Sequence, residues 1–217
     1  SSDLKEIIMK PSDLVISTQG LTKSYKEVDA LKSLDLHVPE KSIFAFLGPN
    51  GAGKTTTIRM IMSILFPDRG QIQVLGRESA LEAKDRIGYL PETPPIYREM
   101  TVREYLTYLA ALRRVSGGER NAAVNRAMDR CGLSAVADRL LGNLSKGYRQ
   151  RAGIAQAIVH APDVVILDEP TVGLDPIQIK EIRELIYDLG GEHSVLLSTH
   201  ILPEVRMTCS RVAVISP

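Results

Sequence analysis

Residues 48–55 read GPNGAGKT, directly after the apolar run Ile43–Leu47 and directly before the helix-like stretch TTTIRMIMSIL at 55–65. The match to G-x-x-x-x-G-K-[ST] comes in the strand-then-helix context that the motif requires. Glycines at these positions let backbone N–H groups turn inward around phosphate oxygens, while the helix that follows points its partial positive end at the same charge. Gly48, Pro49, Asn50, Gly51, Ala52, Gly53, Lys54, Thr55 and Thr56 therefore form a candidate phosphate cradle. Lys54 supplies a full charge toward the outer phosphates, and the Thr55 hydroxyl is suited to a magnesium ion.

Working outward, strand-like and helix-like runs alternate along most of the chain, the pattern of an α/β fold with a mainly parallel central sheet. Short β-rich runs at 14–17 and 31–38, with Ile43–Leu47 after them, have little helical periodicity between them and predict an antiparallel β element ahead of the parallel core. Fuller apolar runs at 164–167 and 195–197 are expected at the centre of the sheet, covered on both faces. From Thr101 the period changes. Val102, Tyr105, Leu106, Leu109 and Ala110 fall at helical spacing, and Thr101 with Glu104 makes a capping box. Gly117 and Gly118 are read as a loop before a second helix at 122–130, and a third helix is expected from Ser145 to a point before Pro162. Residues 95–160 thus read as a helical subdomain inserted in a core made of 1–94 and 161–217. Asp175 and Pro176 read as N-cap and first residue of a helix with Ile182, Leu185, Ile186 and Leu189 on one face.

The stretch 163–170 reads DVVILDEP, with two carboxylates where a buried strand should end. Asp168 stands where an open α/β sheet binds ligands, at a strand's C-terminal end, and is suited to anchoring magnesium. Glu169 points to the opposite side, so the strand end and Pro170 must bring it round before it can take a proton from an attacking water.

Residues 144–151, LSKGYRQR, just upstream of that strand, complete a set that resembles the nucleotide-binding ATPase subunit of ABC transporters, over nearly the whole chain. The resemblance implies a P-loop NTPase fold, ATP and Mg2+ as ligands, and two subunits, alike or different, closing head to tail over two ATP molecules. Ser145 and Gly147 match the positions that touch ATP held by the other subunit, while Lys146 and Tyr148 depart from the usual Gly and Gln. SGGER at 116–120 spells that motif better but lies too far upstream, between two amphipathic helices, and reads as a plain loop. Tyr25 occupies the place of an aromatic that stacks on adenine. Glu92, in YLPE, stands where the family has a magnesium-contacting glutamine that faces the transporter, and Asp175, in VGLD, where a loop signals across the dimer. His200, in STH, matches the switch histidine that contacts the γ-phosphate and orients Glu169, whereas His37, His160 and His193 match nothing. The resemblance extends to a separate membrane permease as partner, docked on the helical subdomain and the Glu92 segment. IGYLPE and LSKGY look most like ABC-2-type systems, which are mainly exporters. A soluble ATPase of the same type, uncoupled from transport, is the competing reading.

The 217 residues carry 27 Lys and Arg against 26 Asp and Glu, a net charge of +1. No global field pulls such a chain onto nucleic acid, and none is expected as a partner. The longest apolar runs fall far below the ~18 residues that a bilayer crossing needs. No leader stands at the start, and Cys131 and Cys209 lack metal-ligand spacing, so both read as structural in a reduced compartment. The expected place is the cytoplasm, peripheral to the membrane. The family pattern also implies further residues beyond the strand that ends near Val214.

Overall fold

The computed structural model describes residues 13–26, 28–78 and 80–216. The first residues, on which the leader expectation rests, lie outside the described residues. Five parallel strands form the central sheet: β3 (Ile43–Leu47), β5 (Ile87–Leu90), β6 (Val164–Asp168), β7 (Ser194–Thr199) and β8 (Arg211–Val214), in the order β5-β6-β7-β3-β8. The runs at 164–167 and 195–197 are inner strands, as their continuous apolar character requires, and every residue of β6 and β7 is buried.

A second sheet joins β1 (Leu14–Tyr25), β2 (Val28–Pro39) and β4 (Arg69–Val74) antiparallel, in the order β2-β1-β4. It corrects the expected layout in two respects. Ile43–Leu47 belongs to the parallel sheet, and the third antiparallel strand comes after α1 (Lys54–Ile61), so this sheet is interleaved with the core rather than placed wholly ahead of it. The strand β4 reads RGQIQV, with only Ile72 and Val74 facing inward, too few apolar residues to stand out from a polar loop.

Period-two alternation splits the packing of the parallel sheet. Val164, Ile166, Leu196, Phe44 and Phe46 face one core, shared with the antiparallel sheet and with Ile58 and Ile61 of α1. Val165, Leu167, Val195 and Leu197 face the other, which takes in α3 (Val102–Leu112), α4 (Gly117–Arg130), α5 (Lys146–Ile158) and α6 (Pro176–Leu189). The helical segment 95–160 and that sheet face therefore share one continuous apolar cluster. Two short α-helices, α2 (Ala80–Ala83) and α7 (Leu202–Thr208), and three 3-10 turns at Lys84–Arg86, Ser134–Val136 and Leu141–Asn143 complete the described elements.

The helix ends follow their sequence signals. Thr101 Oγ1 accepts from Glu104 N, and Glu104 Oε2 accepts from Thr101 N at 2.8 Å, closing the capping box of α3. Asp175 caps α6 by accepting from Ile177 N and Gln178 N. The segment SGGER is a helix start rather than a loop: Ser116 is the N-cap position and α4 begins at Gly117, five residues earlier than expected. Glycine's conformational freedom lowers helix preference in the first turn, which is why the segment reads as a loop. Among the described residues no helix is long and apolar enough to cross a membrane. Cys131 and Cys209 are unpaired, and burial pushes both thiols up to about 12, which keeps them unreactive.

Candidate functional site

The loop after β3 turns on two left-handed glycines, Gly51 at φ 83° and Gly53 at φ 96°. At Gly53 a side chain would also stand 2.6 Å from the Ala30 carbonyl, so the loop packs directly against β2. Gly48 N donates to Thr199 O at 3.2 Å, which fixes the loop's start to β7. Lys54 opens α1 with its side chain almost fully buried; Nζ donates to Gly48 O at 2.7 Å and Pro49 O at 3.2 Å. The loop, its helix N-terminus and the ends of β5, β6 and β7 enclose a cleft of about 320 Å³, whose lining includes Asn50, Thr55, Thr56, Glu92, Glu169 and His200.

At the end of β6, Asp168 is 1% exposed. Its Oδ2 accepts from Thr55 Oγ1 at 3.1 Å, while Oδ1 is buried without a partner, as is Ser198 Oγ on the neighbouring strand, in register with Asp168. Burial raises the Asp168 carboxyl above its ordinary range, the adjacent Ser198 and Thr55 hydroxyls pull it back, and the Glu169 and Glu92 charges add to the rise. A buried carboxylate oxygen with nothing to bind, beside a hydroxyl and a second carboxylate, is a donor set of hard oxygens. It fits magnesium, which keeps several water and phosphate ligands of its own. Glu92 reaches the cleft from the loop after β5 and is exposed.

Glu169 turns into the cleft by a device the sequence does not display. Its own backbone is left-handed, at φ 50°, so the residue itself and not Pro170 reverses the direction of the side chain. Such a conformation costs about 1–3 kcal/mol and persists only where the surroundings enforce it. Oε1 forms an ion pair with Lys54 Nζ at 3.2 Å, and Oε2 lies 2.9 Å from His200 Nδ1. A carboxylate, an ammonium and an imidazole are thus joined beside the loop. The arrangement can hold phosphate charge, accept a proton and keep the accepting oxygen aimed.

Tyr25 is not among the residues lining this cleft. It ends β1 half exposed, paired with Val28, with Lys23 Nζ 5.8 Å from its ring centroid. Ser145 and Gly147 also lie elsewhere. Together with Asp175 they line a second cleft of about 320 Å³ that shares no lining residue with the first. Ser145 Oγ is the N-cap acceptor of α5, from Tyr148 N at 3.3 Å, and Gly147 packs so close to Gln178 that a Cβ would stand 2.8 Å from its Cδ. The sequence reading missed Ala30, Ser198 and Val172 at or beside the site; small or apolar residues with no motif of their own carry no signal. His160 and His193 bond to the carbonyls of Ile87 and Pro162 and are structural.

A family model described as ABC transporter matches residues 31–172. The bacitracin transport ATP-binding protein BcrA of Bacillus licheniformis is 40% identical over 206 residues, covering 93% of this chain and 66% of that protein. The uncharacterized ABC transporter ATP-binding protein YxlF of Bacillus subtilis (strain 168) is 38% identical over 200 residues, covering 92% of this chain and 67% of that protein. The chain spans about two thirds of the length of these relatives. Among solved structures, cbiO1 of Clostridium perfringens, part of the ABC transporter complex cbiONQ, superposes with a TM-score of 0.85 at 27% identity, covering 94% of this chain and 85% of that one.

Proposed function

The chain belongs to the ABC transporter family, and from that premise we propose that it binds and hydrolyses ATP to drive a separate membrane permease, as the ATPase subunit of an exporter. The observation that carries the hydrolytic part is Glu169, held between Lys54 Nζ and His200 Nδ1 at the mouth of the phosphate loop.

In this reading the N–H groups of residues 48–56 and the α1 N-terminus bind the β- and γ-phosphates, and Lys54 neutralises their charge. Glu169 takes the proton from the attacking water, and His200 keeps its carboxylate aimed. Thr55, Asp168 and Glu92 are the oxygens that hold magnesium, which screens phosphate charge when bound. Tyr25 is placed as the adenine-stacking ring, at the end of β1. Ser145 and Gly147 lie in a separate cleft, which supports a site completed by the second copy or a related subunit. Asp175, beside them, belongs to that shared surface as well as to the α6 cap.

The permease docks on the helical segment 95–160 and the loop bearing Glu92, which places the chain on the cytoplasmic face of the membrane. Export rests on the IGYLPE and LSKGY resemblance and on a relative named for bacitracin transport. Relatives named as transporter subunits support this reading over an uncoupled soluble ATPase.

Phosphate release by Glu169→Gln tests the reading together with light scattering in the presence and absence of Mg-ATP. Turnover is expected to fall by ~10² to 10⁴, as removal of a general base requires, while ATP converts the monomer to a dimer. Wild-type turnover from the variant would remove Glu169 from its role. ATP binding without a dimer would remove the two-copy site.

A further inference from the structure

We propose that Glu204 is a positioning residue for hydrolysis: its buried carboxylate ties the turn that carries Glu169 to the turn that carries His200. The inference rests on the reading of Glu169 and His200 given above and identifies what holds them together.

Glu204 lies on α7 and is 2% exposed. Its Oε1 accepts from Thr171 Oγ1 at 2.6 Å, and its Oε2 accepts from Thr199 Oγ1 at 3.0 Å. Both threonines are themselves buried. Each belongs to one of the two segments that meet in the cleft. Thr199 immediately precedes His200, and its hydroxyl oxygen accepts from Ile201 N at 3.1 Å, so the side chain brackets the histidine from both sides. With its hydrogen committed to Glu204 and a lone pair to Ile201, the Thr199 hydroxyl has one orientation. Thr171 follows Glu169 by two residues, within a tight turn in which Val172 N donates to Glu169 O and Leu174 N donates to Thr171 O.

This is the turn that must enforce the left-handed backbone at Glu169. The Glu169–His200 contact of 2.9 Å spans two loops from two strands, and side chains on such loops drift unless a third group fixes both. A carboxylate suits that task because it only accepts: two hydroxyl donors converge on it without competition. A glutamine there offers one acceptor and turns an amide donor toward the other hydroxyl. Burying a carboxyl group is costly, and an apolar side chain would fill the same volume more cheaply, so an acid at this position points to geometry rather than stability.

The test compares wild type with Glu204→Gln, Glu204→Ala, Thr171→Val and Thr199→Val in three measurements: kcat and KM for ATP hydrolysis, thermal melting, and the NMR signal of the His200 Nδ1 nitrogen without nucleotide. Glu204→Gln and both valine variants are expected to stay folded at the assay temperature. Their kcat should fall about tenfold or more while KM for ATP moves by about twofold or less. Glu204→Gln should keep more turnover than Glu204→Ala, and the His200 nitrogen signal should shift in each variant as its contact with Glu169 loosens. Wild-type kcat and an unmoved His200 signal in Glu204→Gln would overturn the inference. So would a loss of turnover that merely follows the unfolded fraction. If wild type itself turns over no faster than Glu169→Gln, the hydrolytic reading fails, and the His200 signal, which needs no turnover, still decides whether Glu204 positions it.

Discussion

At Gly53 two constraints coincide, a backbone at φ 96° and a carbonyl 2.6 Å from where a Cβ would be. Gly53→Ala should therefore destabilise the chain by roughly 1–3 kcal/mol and abolish ATP binding, read by urea unfolding and by a fluorescent nucleotide. A variant that binds ATP as wild type would show that the loop does not need this turn. His160 gives a pH prediction. Burial, helped by the Arg113 charge, lowers its imidazole from 6.5 to about 4, so the folded chain keeps it neutral while the unfolded chain takes up a proton below 6.5. The unfolded state then binds more protons between 6.5 and 4, and stability present above 6.5 is lost as pH falls through that window. The urea midpoint should drop between pH 7 and pH 5, and His160→Gln should flatten that drop; parallel curves would assign it to other groups. Residue identity was legible wherever a motif fixes spacing, as for Lys54, Asp168 and His200. It was illegible for Glu204, whose partners Thr171 and Thr199 come from two other segments.

For the elements, caps carried the most information. Thr101 closes a capping box that the sequence states outright, and Thr101→Ala should cost about 1 kcal/mol, measured by denaturant unfolding. The opposite case is α4, whose first two residues are glycines that looked like a loop. Nothing stands within 4 Å of a Cβ at Gly118, so Gly118→Ala should stabilise the chain by roughly 0.5–1 kcal/mol and leave ATP turnover unchanged. A loss of turnover there would mean that SGGER does more than start a helix. The strand β4 escaped notice because an edge strand with two inward apolar residues has too little periodicity to be distinguished from a loop.

The whole molecule presents two clefts with no lining residue in common, one holding the phosphate loop and one holding Ser145, Gly147 and Asp175. If a working site takes one cleft from each of two copies, two inactive variants should rescue each other. Lys54→Ala disables the loop, and Gly147→Glu disables the second cleft, where even a Cβ crowds Gln178. Mixed, they form a heterodimer with one intact composite site, so phosphate release should return to a measurable fraction of wild type. No recovery on mixing, with each variant folded, would argue for a site complete within one copy.

The sequence by itself determined the phosphate loop, the strand ending at Asp168, the inner position of two apolar strands, and the capped helices α3 and α6. These depend on local spacing, backbone preference and periodicity, which are complete within a few consecutive residues. Tertiary structure alone decided the interleaved antiparallel sheet, the left-handed reversal at Glu169, the separation of the two clefts and the carboxylate of Glu204 between two threonines. Each of these joins segments far apart in the chain, and side chains that meet only after strands pair and helices pack leave no local pattern to read.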